Sequence, residues 1–326
     1  MVVEGKSHRT IEASSDLTRV TIIDQTALPF KFQLIELKSL KDVIQAIKFM
    51  KVRGAPLIGV TSAFGIALEM NNDPSDQSLM DAAFALKESR PTAVNLAWAV
   101  EKMLEHLKTI NSKDRAKTAW FYANQLAEDD IKTNINIGRA GLPLLKQIKS
   151  SPLNILTHCN AGWLATIDNG TALSPIYQAV EEGIDIHVWV DETRPRNQGM
   201  NLTAWELTQA KIPHTIISDN TGGLLMQQNK VDCVIVGADR ISIDGQVCNK
   251  IGTYLKALAA KAHDIPFYVA APLSTVDKKF IGKNQPFEIE CRDPNELLRI
   301  KGLNSDGIIS EVKIGMSNAY NPAFDI

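Results

Sequence analysis

Apolar and polar residues change rhythm twice along this chain. Near its start they alternate two by two, in RTIEA, RVTIIDQ and KFQLIEL, and alternation of that kind predicts short strands. From Ser39 the spacing becomes helical: SLKDVIQAIKFM, the nearly unbroken apolar run APLIGVTSAFGIAL (55–68), DAAFALKES, and TAVNLAWAVEKMLEHLKTI. A further helix is expected over about residues 114–139, ending near Gly138 and Gly141. The stretch GLPLLKQIKSSPLN, with two prolines and a Ser-Ser pair, then reads as a boundary. It divides the chain into a small mixed, mainly helical domain, 1–148, and a second domain, 149–326.

The second domain has another rhythm. LNILTHC, IDIHVWV, HTIISD, VDCVIVGAD and PFYVAAP are short apolar runs rich in β-branched residues. Helical stretches separate them: TALSPIYQAVEEG, LTAWELTQAK, GGLLMQQ and NKIGTYLKALAAKAHD. Strands alternating with helices predict an α/β domain, a parallel sheet covered on both faces. Ligands of such sheets bind beyond the carboxyl ends of the strands. Cys159 falls at the end of the first strand, Asp191 and Glu192 at the second, Asp219 and Asn220 at the third, Asp239 and Arg240 at the fourth. That edge is the expected site.

Composition narrows the function. The 326 residues are 44% hydrophobic and 22% charged with a formal net charge of -2, which argues against broad binding to nucleic acid or anionic membranes. The 14-residue run at 55–68 is short for a membrane span, and the start, MVVEGKSHRT, is too polar for a secretory signal. Four cysteines, at 159, 233, 248 and 291, form no CxxC and no metal-type spacing with histidine. They read as thiols of a cytoplasmic protein, and no metal is expected. No GxGxxG follows a strand, and GxxxxGK[ST], GxSxG and HExxH are absent, so neither a nicotinamide cofactor nor a nucleotide is expected.

Four stretches carry candidate chemistry. In VRGAPLIG, Arg53 precedes a helix starting near Pro56, where free helix-start N–H groups and an arginine suit a phosphate. An ordinary helix start with a surface arginine fits those residues too. DETRPRNQGMNLTAWEL is a dense polar loop leading into an amphipathic helix, and a solvated loop is its bland reading. In VDCVIVGADRI, Asp239 leaves an apolar strand; burial raises a carboxyl pKa, which suits a general acid, although a turn aspartate fits equally. Asn249 and Lys250, in GQVCNKIGTY, are expected to open the following helix, again a place for an anion. Cys159 is either a buried structural thiol or, with cationic neighbours, a base or nucleophile. His158 is expected to be packed or bonded at the strand end.

The blocks RGAPLIG, SRPTAVNLAWAV, THCNAG, DETRPRNQG with LTAWEL, SDN, GADRI, NKIGTY, PFYVAAP and NPAFD, in this order from about residue 50 to 325, resemble the methylthioribose-1-phosphate isomerase family of methionine salvage. Its superfamily includes ribose-1,5-bisphosphate isomerase, 5-deoxyribose-1-phosphate isomerase and regulatory subunits of a translation-initiation exchange factor. The resemblance implies a Rossmann-like doubly wound second domain, a homodimer, and a sugar phosphate as the small-molecule partner. It implies a catalytic pair, Cys159 and Asp239, and substrate contacts at Arg53, Gly54, Ala55, Arg90, Gln198, Asn249 and Lys250. The family's commonest pattern is departed from at Trp163, at Met200-Asn201 and at Thr221-Gly222-Gly223. Trp163, Met200, Thr221, Gly222 and Gly223 are expected to form an uncharged pocket for an apolar group on C5 of the sugar, methylthio or methyl.

Overall fold

The computed structural model describes residues 1–326. Its N-terminal part pairs Ile11–Ala13, Val20–Ile23 and Leu34–Leu37 into a three-stranded antiparallel sheet, with Val20–Ile23 in the middle. Helices Leu40–Lys48, Ala55–Asn72, Asp76–Ser89 and Val94–Leu107 follow. The apolar run becomes the central helix, Ala55–Asn72, buried continuously from Leu57 to Leu68. A helix apolar on every side needs neighbours on every side. The other helices and the sheet supply them, in a cluster of 30 buried residues.

The long helix is the first departure from the expected pattern. It spans Ser112–Gln147, running through Gly138 and Gly141 and even past Pro143. The two glycines lie where helix Ser174–Glu181 crosses. A Cβ on Gly138 would run into Gln178 and Ser174, and one on Gly141 would lie 2.6 Å from Pro175. They are there for close approach of two helices, not to stop one. Ser174 Oγ and Gln178 Nε2 also donate to the carbonyls of Asn134 and Ile135, at 2.8 and 2.9 Å, which ties the crossing together.

Beyond Gln147 the chain builds the expected five-stranded parallel sheet. Its spatial order is Phe267–Val269, Cys233–Val236, Leu153–Thr157, Ile186–Asp191, His214–Ile217. Chain order therefore reverses between Leu153–Thr157 and Cys233–Val236, and such a switch point opens a crevice at the carboxyl ends of the two strands. Cys159 leaves one of them and Asp239 the other.

Two pieces were not foreseen. Arg299–Leu303 and Ile309–Lys313 form a hairpin. Val276–Asp277, Arg240–Ser242, Val247–Lys250 and Phe324–Asp325 form a second small sheet. Asn249 and Lys250 accordingly sit on a strand and do not open a helix, which begins only at Thr253. The strand is held by antiparallel partners on both sides, and Gly252, at φ 102, makes the turn into the helix. The backbone N–H groups of Gly252 and Tyr254 donate to the Asp325 carboxylate at 2.7 and 3.1 Å, so that helix start is already capped.

Asp130, on the long helix, accepts from the backbone N–H of Ile167 at 3.0 Å and from Asn134 Nδ2 at 2.9 Å. Burial raises its pKa to about 7 despite these bonds. The unfolded carboxyl ionises near the ordinary value, so folding costs stability as pH rises between that value and about 7, and the cost persists above. Asp130→Asn keeps an acceptor oxygen and removes the buried charge. Its thermal midpoint should exceed that of the parent near pH 8, by roughly 1–2 °C per kcal/mol recovered. The gap should narrow as pH is lowered toward 5. Melting curves at the two pH values check this; equal midpoints at pH 8 would contradict it.

Candidate active site

Cys159 lies two residues past the end of its strand with φ at 64°, in the left-handed region. Its main chain is fixed on both sides: its N–H donates to Thr193 Oγ1 at 2.9 Å, and its carbonyl accepts from Thr203 Oγ1 at 2.7 Å. Only 8% of the residue is exposed. The thiol is left as the free group, on the wall of a cavity of about 860 Å³. One wall comes from the start of helix Ala55–Asn72 and from the residues of the helix Val94–Leu107 region, the other from the carboxyl ends of the sheet strands.

The cavity gathers all nine residues that the resemblance assigns to catalysis and substrate contact, Arg53, Gly54, Ala55, Arg90, Cys159, Gln198, Asp239, Asn249 and Lys250, whereas Asp191, Glu192, Asp219 and Asn220 at the other strand ends do not line it. Gly54 has φ 91 and caps the helix without any side-chain bond, leaving its first N–H groups free. A Cβ there would strike the Ala165 backbone, so only glycine lets the helix start approach the Cys159 loop. Arg53 is buried and donates from Nη1 and Nη2 to the side-chain and main-chain oxygens of Asn160, the latter at 2.6 Å. Lys250 Nζ donates to the Ala323 carbonyl at 2.9 Å and stands 4.9 Å from the centre of the Phe324 ring. Arg90 lies 3.5 Å from Glu290 through Nη2, while its buried Nε and Nη1 have no partner. Donors without partners beside a cavity are what an anionic ligand would satisfy.

The initiation factor 2 subunit family matches residues 51–326 by its sequence profile. The chain belongs to this family. It is similar to the methylthioribose-1-phosphate isomerase of Brucella anthropi, with 50% identity over 333 residues that cover 100% of this chain and 92% of that one. Among solved structures it is similar to 5-methylthioribose 1-phosphate isomerase from Pyrococcus horikoshii OT3, with a TM-score of 0.82, 37% identity, and coverage of 98% and 88%. It is also similar to translation initiation factor eIF-2B, subunit delta, from A. fulgidus, with a TM-score of 0.80, 40% identity, and coverage of 98% and 91%.

The cavity lining brings two corrections. The expected uncharged pocket does not exist: Trp163, Met200, Thr221, Gly222 and Gly223 do not line the cavity. Trp163 is fully buried with Ile23, Leu28 and Leu202 and stacks on Trp205, with ring centres 6.2 Å apart. Gly222 faces Leu156 of the sheet. The apolar part of the cavity is instead lined by Ile58, Val94, Ala97, Trp98, Leu273 and Phe287. Secondly, cations beyond the expected substrate contacts also reach the cavity, Arg240 at its strand end and three that were not singled out. Arg240 pairs with Asp277 at 2.7 Å, Arg292 with Glu290 at 3.0 Å, and Lys278 and Lys279 stand exposed at the rim.

The other polar groups at the strand ends support the site from behind. His158 is buried, with Nδ1 3.0 Å from Asp191 Oδ2 and Nε2 2.8 Å from the Ile251 carbonyl. Asp219 accepts from the N–H groups of Thr193 and Arg194 at 2.7 and 2.8 Å, fixing the loop that holds Cys159. His158, Asp191 and Asp219 come together as a metal site would, but the Lys256 ammonium is already there, 2.8 Å from Asp191 Oδ2 and 2.8 Å from the Asp219 carbonyl.

Burial pushes the Cys159 thiol pKa up, against the pull of Arg53 and Lys250. Burial, together with nearby Arg292, brings Lys250 down to about 8. Cys159 should therefore be a neutral thiol near pH 7, and iodoacetamide should modify exposed Cys291 well before it. Peptide mapping of alkylation against pH tests this. Cys159 labelling should climb only in alkaline solution, and fast labelling near pH 6 would show a thiolate instead.

Proposed function

We propose that this protein is an aldose–ketose isomerase that converts 5-methylthioribose 1-phosphate to 5-methylthioribulose 1-phosphate in methionine salvage, with Cys159 and Asp239 as the catalytic pair. The observation that carries the reading is their meeting at the switch point of the sheet, in one cavity with Arg53, Arg90 and Lys250. Full-length relatives at about 50% identity that bear the isomerase name support it. The eIF-2B subunit from A. fulgidus supports a second reading, a non-catalytic subunit of the same fold, at lower identity. We further propose a cytoplasmic homodimer with no metal and no nucleotide. Exposed Tyr254, Leu255 and Leu258, on helix Thr253–Ala262, support an assembly surface. No helix is long and apolar enough to cross a membrane.

The chemistry follows from the substrate. Phosphate on the anomeric oxygen prevents a sugar 1-phosphate from opening to a free aldehyde. The enzyme must break the bond between C1 and the ring oxygen. Asp239, half-buried at the cavity wall, gives its proton to that oxygen as the bond breaks. The hydrogen on C2 then passes to C1 beside Cys159, and the C2 hydroxyl gives its proton to the Asp239 carboxylate as the ketone forms, which restores the acid. Arg53, Arg90, Lys250 and the uncapped start of helix Ala55–Asn72 hold the phosphate. Enclosure limits the water that would destroy the open intermediate.

Cys159→Ala and Asp239→Asn should each lower kcat by orders of magnitude while the melting temperature barely moves. Arg53→Ala and Arg90→Ala should act mainly on KM, each losing a charge-assisted bond to phosphate worth about 1.5–3 kcal/mol, or roughly 10- to 150-fold. Near parental turnover in either catalytic variant, or losses that only track unfolding, would remove that residue from the mechanism.

The substrate is tested by comparing kcat/KM for methylthioribose 1-phosphate, 5-deoxyribose 1-phosphate and ribose 1,5-bisphosphate, following ketose by NMR. The methylthio sugar should be best and the 5-deoxy sugar within about tenfold, because one thioether adds little buried area. A preference for the bisphosphate would mean that the additional cations of the cavity bind a second phosphate. No turnover of any of the three would favour the non-catalytic reading.

A further inference from the structure

Glu206 is fully buried, does not itself line the cavity, and plays no part in the chemistry above. Its carboxylate nevertheless receives four donors. Oε1 accepts from Asn160 Nδ2 and the Leu164 N–H, both at 2.8 Å, and Oε2 from the Trp163 N–H at 2.8 Å and the Tyr177 hydroxyl at 2.9 Å. Space for it depends on Gly162, where a Cβ would collide with the carboxyl group. Three of the four donors belong to the segment that begins at Cys159.

The decisive partner is Asn160. Its amide can be turned either way, and what it meets on each side sets which way it turns. A carboxylate only accepts, so it holds the NH₂ end of Asn160 toward itself, where Thr203 Oγ1 also lies at 3.1 Å. The amide oxygen is thereby aimed at Arg53, which binds it through Nη1 and the main-chain oxygen through Nη2. Thr203 closes the loop by donating to the Cys159 carbonyl. An acid touching Arg53 would neutralise it. An acid set one amide away holds it in place and leaves its charge for the substrate.

We infer that Glu206 is a positioning residue that orients Asn160 and, through it, the Arg53 guanidinium that anchors the sugar phosphate. This rests on the reading of Arg53 as a phosphate anchor given above. A merely structural carboxylate would stabilise the fold equally whether or not Arg53 were present. A positioning residue would matter for activity only while Arg53 is there to be positioned.

A double-mutant cycle separates the two. Glu206→Gln sets an NH₂ against a backbone N–H, of Leu164 or of Trp163, whichever way the amide turns, and it should lower kcat/KM by roughly 10- to 100-fold, chiefly through KM. In the Arg53→Ala background the same change should cost no more than about threefold. Tyr177→Phe keeps the carboxylate and removes one donor. It serves if Glu206→Gln does not fold, and should raise KM about two- to fivefold, again only while Arg53 is present. Equal losses with and without Arg53 would overturn the inference while leaving Arg53 as the anchor. If Arg53→Ala alone leaves KM unchanged, the anchor assignment and the inference fall together.

Discussion

A loop that runs through the interior of a protein must find a partner for every backbone polar group it carries there, because water cannot supply one. The segment from Cys159 to Leu173 is such a loop, buried over most of its length between the helical part and the parallel sheet. Its partners come from both sides. From the sheet side Glu206 takes two of its N–H groups, and Thr203 bonds the Cys159 carbonyl. From the helical side Asp130 takes the Ile167 N–H, Gln25 Nε2 donates to the Leu164 carbonyl at 2.7 Å, and Thr10 bonds the Thr166 carbonyl. Gly54 rests directly on Ala165. The cavity exists because this one segment is held from two directions, with the thiol at its start and the arginine beside it.

What could be read along the chain was what short-range pattern determines. The five parallel strands and the central helix follow from runs of apolar residues that need no knowledge of their neighbours. The convergence of Cys159 and Asp239 was legible because strand ends gather at one edge whatever the strand order. The small sheet was not legible. Val247–Lys250 is a strand because Phe324–Asp325 returns to pair with it, and nothing near Asn249 announces a partner so far along the chain. Gly138 and Gly141 looked like stops, and their purpose shows only when helix Ser174–Glu181 lies across them.

The site shows the same division. The nine residues assigned through the motifs reached the cavity, but the motifs SDN and LTAWEL did not, nor did neighbours such as Trp163. Trp163 is only four positions from Cys159, yet its ring turns into a separate apolar cluster. Arg292, by contrast, lies in a charged stretch with no motif, and it reaches the cavity through its pairing with Glu290. Glu206 stood in view within LTAWEL as a lone acid in an amphipathic helix. Its four bonds join positions too distant in sequence for spacing to reveal.

The return of residues 323–325 to the small sheet bears on how firmly Lys250 is placed. Ala323 receives the Lys250 ammonium, Phe324 lies beneath it, and Asp325 closes the helix that follows. One short strand thus sets both a cation of the cavity and the start of a helix, although Ala323 lies 73 positions along the chain from Lys250. Loosening that strand would disturb both together while the two large apolar clusters, which do not include it, stayed packed.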